Sequence, residues 1–187
     1  MSSGELTLFS YLVLGLVGRG GASPYELQRM ARQGRIYDFA GESQYYVEPK
    51  RLARLGYLEA TKEPGKTRER TVYTLTGKGL DALREYAETP VHFTAVKSEL
   101  LVRLLIADLV GEEATRHGVT ALRADIADLL DRLHQSEVRA EMLPHRRKYL
   151  LLATDFLRRL LGLHLEFVDE VERELAPKGR ERSKQSS

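Results

Sequence analysis

Apolar residues recur along most of this chain at spacings of three and four, and in one short stretch they alternate instead. Leu6 to Val17 is an almost unbroken apolar run, which predicts a first helix from about Glu5 to Val17, ended by Gly18-Arg19-Gly20-Gly21. At roughly twelve residues the run is too short to span a bilayer and reads as a buried helix. Ser23-Pro24-Tyr25-Glu26 opens a second helix, with Ser23 as cap, Pro24 at the first helical position and Glu26 closing a Ser-x-x-Glu box. Leu27, Met30 and Ala31 keep helical spacing behind it, whereas Gln33 to Glu42 has no period, and Ile36, Tyr37 and Phe39 are expected to fold back on the core.

Ser43 is the next cap candidate, and Leu52, Leu55 and Leu58 recur helically until Gly56, a residue able to take the left-handed conformation that ends a helix near Leu55. From Tyr57 the character turns extended. Two short strands flank Pro64-Gly65-Lys66-Thr67-Arg68, and in the second, Thr71 to Leu75, Val72 and Thr74 alternate with Tyr73 and Leu75, so that one face can cover a small core. Thr76-Gly77-Lys78-Gly79 starts a further helix through Leu80, Leu83 and Tyr86 to about Glu88, closed by Pro90. The rest predicts three helices, roughly 96–111, 119–142 and 144–175. In the last, Leu150, Ala153, Leu157, Leu160 and Leu161, His164, Phe167 and Val168, Val171 and Leu175 form one stripe on a rod of roughly 45 Å.

The fold class that emerges is mostly α: an N-terminal winged helix-turn-helix with a two-stranded β wing, over residues 1–90, and a C-terminal helical dimerisation region over 91–177. A polar, charged tail at 178–187 reads as disordered. The 187 residues are 42% hydrophobic and 30% charged, enough apolar material for a globular fold. The net charge of +2 is close to balanced, so any basic surface has to be local. It is concentrated in Lys62, Lys66, Arg68 and Arg70 of the hairpin, and in the tail.

The absence of cysteine excludes disulfides, thiolate metal sites and a cysteine nucleophile, and suits a reducing, cytoplasmic setting without membrane anchor or export signal. His92, His117, His134, His145 and His164 fall in no recognised ligand spacing, so no metal and no cofactor are expected. Gly18 to Gly21 lies between helices and lacks the Lys-Ser/Thr ending of a phosphate loop, and no nucleophile elbow is present; an enzyme is not expected.

LTLFSYLVLGLV near the start, SPYEL at the second helix, SQYY followed by KRLARLGYLEA, then RTVYTLTGKGLDALREY, and ELLVRLLIADL in the helical half give the chain a resemblance to the PadR family of transcriptional regulators. The resemblance implies a winged-helix homodimer whose first helix and C-terminal region join two subunits over a palindromic operator. It also implies repression more often than activation, and release by small phenolic or planar hydrophobic compounds. The sequence departs from the family at Pro49, where related recognition helices carry an aliphatic residue. Either the helix kinks there, or it begins near Glu48 with Pro49 in its first turn.

For double-stranded DNA as partner, Gln44, Tyr45, Tyr46, Lys50 and Arg51 are expected to face the major groove, where Gln pairs with adenine and Arg or Lys with guanine or phosphate. Ser23 and Tyr25 match the family's phosphate contact at the second helix, and Lys66, Arg68 and Arg70 would reach phosphates from the wing. Against these stand plainer readings: one tyrosine packs inward, and a charged hairpin is merely soluble. Phe9, Tyr11, Phe93 and Phe156 are the residues expected to line an aromatic effector cavity. Rival functions are a winged-helix module for protein contacts, a small-molecule binder, and a MarR-like regulator. The last would need dimer helices on both sides of the reading head, whereas only Leu6 to Val17 precedes it here.

Overall fold

The computed structural model describes residues 6–18, 20–33, 40–64 and 69–177. The chain divides into two compact units, residues 1–93 and 94–187. The first contains α1 (Leu8–Val17), α2 (Pro24–Gln33), α3 (Gln44–Arg54), β1 (Leu58–Glu63), β2 (Arg70–Leu75) and α4 (Gly77–Glu88). Helix α1 starts three residues later than its apolar run suggests because Thr7 caps it. The Thr7 hydroxyl accepts from the Ser10 amide at 3.2 Å and the Ser10 hydroxyl accepts from the Thr7 amide at 2.9 Å, a reciprocal box. Ile36, Tyr37 and Phe39, expected to return to the core, lie outside the described residues, as does the tail 178–187.

The core of this unit gathers Val13, Leu14 and Val17 of α1 with Leu27, Tyr45, Leu52, Leu58 and Tyr73. Helix α3 ends as its Leu-Gly-Tyr sequence predicts: Gly56 sits at φ 79°, its amide donates to the Ala53 carbonyl, and the Tyr57 amide donates to the Leu52 carbonyl. The expected cap at the other end does not form, because Ser43 is itself helical and its side chain makes no capping bond. β1 and β2 pair antiparallel with Leu58 opposite Leu75 and Glu63 opposite Arg70. Both faces of β2 are covered, since Val72 as well as Tyr73 is buried. The reason lies outside the hairpin: Ala22 and Tyr73 exchange two 2.9 Å backbone bonds, so the segment before α2 lies along β2. Gly21 permits that approach, because a Cβ there would stand 3.0 Å from the Thr74 methyl, 3.1 Å from the Tyr73 carbonyl and 3.3 Å from a Val72 methyl. The helix expected to start at Thr76-Gly77-Lys78-Gly79 does so, with Thr76 as its cap, accepting from the Gly79 amide at 3.1 Å while donating to the Gly56 and Tyr57 carbonyls.

Among its described residues the second unit has five helical segments where three are predicted: α5 (Glu99–Leu105), α6 (Ala107–Val110), α7 (Glu112–Thr120), α8 (Leu122–Glu141) and α9 (Pro144–Glu174). Ser98 caps α5, and the pattern breaks at Ile106 and at Gly111, whose φ of 96° no ordinary helix accommodates. Helix α8 packs along α9 as an antiparallel hairpin in which Ile126, Leu133 and Ala140, at intervals of seven, and Leu157 and Leu161 of the predicted stripe are buried, while Val168 and Val171 of the same stripe pack with Val119 of α7. Arg158 to Glu137 at 2.6 Å, and Arg123 to Glu172 at 2.7 Å and to Asp169, fix the register.

Candidate nucleic-acid interface

Helix α2 presents its amino terminus to an open groove. The Ser23 amide and hydroxyl both donate to Oε2 of Glu26, at 2.8 and 2.7 Å, so the predicted box forms. These Ser23 donors, followed by the fields of Arg70 and Arg29, hold the Glu26 carboxyl below its ordinary value. Ser23 is therefore buried with its hydroxyl committed, while Tyr25 next to it is exposed. Across the groove, Arg70 of β2 reaches Glu63 at 3.0 Å and Glu26 at 3.4 Å, and Lys62 pairs with Glu69 at 3.4 Å. Lys66 and Arg68 lie outside the described residues. The groove has a volume of about 990 Å³ and is walled by Tyr25, Arg29, Tyr46, Lys50, Arg70 and Tyr73 among others.

Helix α3 walls this groove through Tyr46 and Lys50, with one face of the helix inward and one outward. Tyr45, Glu48, Pro49 and Leu52 are buried, the i, i+3, i+4, i+7 set of a helix laid on a core. Pro49 is thus inside the continuous helix Gln44–Arg54, and the alternative start near Glu48 does not occur. Its ring donates no bond to the Tyr45 carbonyl, but it fills the apolar side where its bulk is buried. At about 100° per residue the outward row is Ser43, Val47, Lys50 and Arg54, all exposed.

Two residues expected to face the groove are turned away from it. Tyr45 is 3% exposed and meets Phe9 edge-on at 5.1 Å between centroids, because it lies on the same face as Leu52. Arg51 is folded back onto α1: it donates to both oxygens of the buried Glu48, at 2.8 and 2.9 Å, and to the Ser10 hydroxyl at 3.1 Å. That pairing, with Ser10 adding its own bond, depresses the Glu48 carboxyl against the opposing effect of burial. Gln44, Tyr46 and Lys50 are exposed, and the Tyr46 hydroxyl donates to Gln28 of α2 at 3.2 Å. Gln28 and Arg32 in turn hold Glu42 just ahead of α3. Val47, Arg54 and Arg29 belong to the exposed surface but are not among the residues picked out from the sequence. Counting around α3 from the buried Leu52 would have found Val47 and Arg54. Arg29, Lys50 and Arg54 form no ion pair among the described residues.

The aromatics assigned to an effector cavity have separate surroundings. Phe9 is spent on Tyr45, Tyr11 stacks on Tyr86 at 4.0 Å, and Phe93 and Phe156 are exposed. Among the described residues no three His, Cys, Asp or Glu gather as metal ligands, and no helix is long and apolar enough to cross a membrane.

A three-helix head closed by a paired hairpin is a winged helix, and here a second, helical unit follows it. The sequence matches no family model and no curated protein. Solved structures do share its fold. PadR of Bacillus subtilis in complex with operator DNA superposes with a TM-score of 0.72 at 22% identity, over 92% of this chain and 98% of that one. The same regulator in complex with p-coumaric acid gives 0.62 at 22%, over 91% and 98%. The Vibrio cholerae virulence activator AphA gives 0.69 at 20%, over 89% and 96%. The fold is therefore the PadR-like one, a winged helix with a C-terminal helical region, as its sequence motifs imply.

Proposed function

We propose that this protein is a DNA-binding transcriptional regulator that acts in the cytoplasm as a homodimer on a palindromic operator, as a repressor, without catalytic chemistry. The observation that carries this reading is the exposed outward row of α3, Ser43, Val47, Lys50 and Arg54, of which Lys50, with Tyr46 beside it, walls the groove between the α2 amino terminus and the wing. A helix presented in that way fits a major groove about 12 Å wide, with α2 and the wing at the flanking phosphates. The fold shared with an operator-bound PadR supports it.

Dimerisation rests on the second unit. Tyr149, Leu152, Phe156 and Leu163 make a second apolar stripe on α9, exposed on a different face from the buried one. An apolar surface of that extent favours a partner. Release by a small aromatic compound rests on the PadR complex with p-coumaric acid and on an apolar hollow of about 240 Å³ in this unit, lined by Val96, Leu100, Leu101, Leu163 and Phe167 with His164 beside them. The decisive experiment is a mobility shift of duplex DNA by the purified protein across a salt series. Binding that weakens linearly in log affinity against log salt supports phosphate contact, and binding indifferent to salt points to the protein-contact module instead.

A further inference from the structure

Val47 is the one apolar side chain in the outward row of α3, and the sequence gives it no structural reason to be there. It is 53% exposed and lies diametrically across the helix from the buried Tyr45, Pro49 and Leu52. A β-branched residue at an exposed helical position forfeits helix propensity, so it does not serve the stability of α3. Its neighbours in the row are a hydroxyl at Ser43 and cations at Lys50 and Arg54, groups that bond to base edges or phosphates. A single stiff apolar group among them has one complementary feature in the major groove: the C5-methyl of thymine. Valine holds one dominant rotamer in a helix, so its two methyls are already positioned without loss of side-chain freedom.

We infer that Val47 reads a thymine methyl in each operator half-site, next to the base pair that Lys50 reads. Lys50 follows Val47 by three residues and stands about one helical turn away on the same row, so the two side chains fall on neighbouring or next-neighbouring steps of the duplex. The inference rests on the DNA-reading function proposed above and gives it a specific base identity.

The test uses duplexes selected from random-sequence DNA by the full-length wild-type protein. Each thymine of a half-site is replaced in turn by deoxyuridine, which removes the methyl and leaves pairing intact. One position per half-site should lose about fourfold in affinity, the worth of one buried methyl group, and Val47→Ala, which favours the helix, should bind the thymine and uracil duplexes equally. A melting temperature no lower than that of the wild type in Val47→Ala accompanies that result. Loss of affinity at a uracil that persists undiminished in Val47→Ala overturns the inference, as does a half-site in which no thymine is sensitive. Failure of the wild type to enrich any duplex overturns the DNA-reading function itself and this inference with it.

Discussion

The Ser10 hydroxyl donates a 2.7 Å hydrogen bond to Oε1 of Glu48, 38 residues further along the chain, and thereby locks α3 in rotation against α1. Both residues are buried, and Arg51 completes the cluster from the solvent side. A carboxylate in an otherwise apolar interface sets one angle of the helix and disfavours others, since rotation would leave a buried charge unbonded.

Glu48→Gln is expected to lower stability by about 2 kcal/mol at neutral pH, the worth of a charge-assisted buried network. The pH dependence follows from the depressed carboxyl, whose ordinary value is 4.5. A folded-state value below the unfolded one contributes stability that is complete above the unfolded value and is lost as pH falls through the folded one. Thermal melts of wild type and variant should therefore differ by a constant amount above about pH 6 and converge as acid protonates Glu48. A gap that widens in acid would contradict this.

Arg51 and Lys50 are adjacent cations with opposite expected phenotypes. Arg51→Ala should lower the melting temperature and weaken binding to operator and random DNA alike, because it loosens α3. Lys50→Ala should leave the melt unchanged and cost about 1–3 kcal/mol on the operator only. Differential scanning calorimetry beside fluorescence anisotropy on the two DNAs separates them.

Wing and recognition helix should divide between positioning and reading. Lys66→Ala and Arg68→Ala should each lower the salt slope by about one unit and weaken all sequences equally, while Gln44→Ala should cost about 1–3 kcal/mol on the operator alone. Equal losses on operator and random duplex for Gln44→Ala would refute base reading by that residue.

For the dimer, the informative positions are those α8 leaves open. Phe156 and Leu163 are 66% and 60% exposed, whereas Leu157 and Leu161 are 5% and 7% exposed inside the hairpin. Phe156→Glu with Leu163→Glu should give a folded monomer by sedimentation, its helix content retained, with operator affinity largely lost because each half-site alone binds weakly. Leu157→Glu should instead unfold the hairpin, by about 3–5 kcal/mol.

The parts of this protein legible in sequence are those decided between residues a few positions apart. The Ser23-Glu26 box, the left-handed Gly56 and the Thr76 cap each join residues only a few positions apart, and each forms. Strand β2, the helices of the head and the apolar stripe of α9 follow largely from period. What period could not decide is which of two neighbouring side chains turns inward. Tyr45 and Tyr46 are chemically alike, and the choice between them was made by Ser10 and Phe9, more than thirty residues away, which fix the rotation of α3. The same holds for Arg51, drawn off the outward face of α3 by a carboxylate whose burial only the packed core creates, and for Leu157 against Phe156, distinguished only by which side of α9 receives α8. Sequence spacing defines the faces of a helix; long-range contacts alone determine which of them meets the core, because that choice depends on surfaces brought together by the fold.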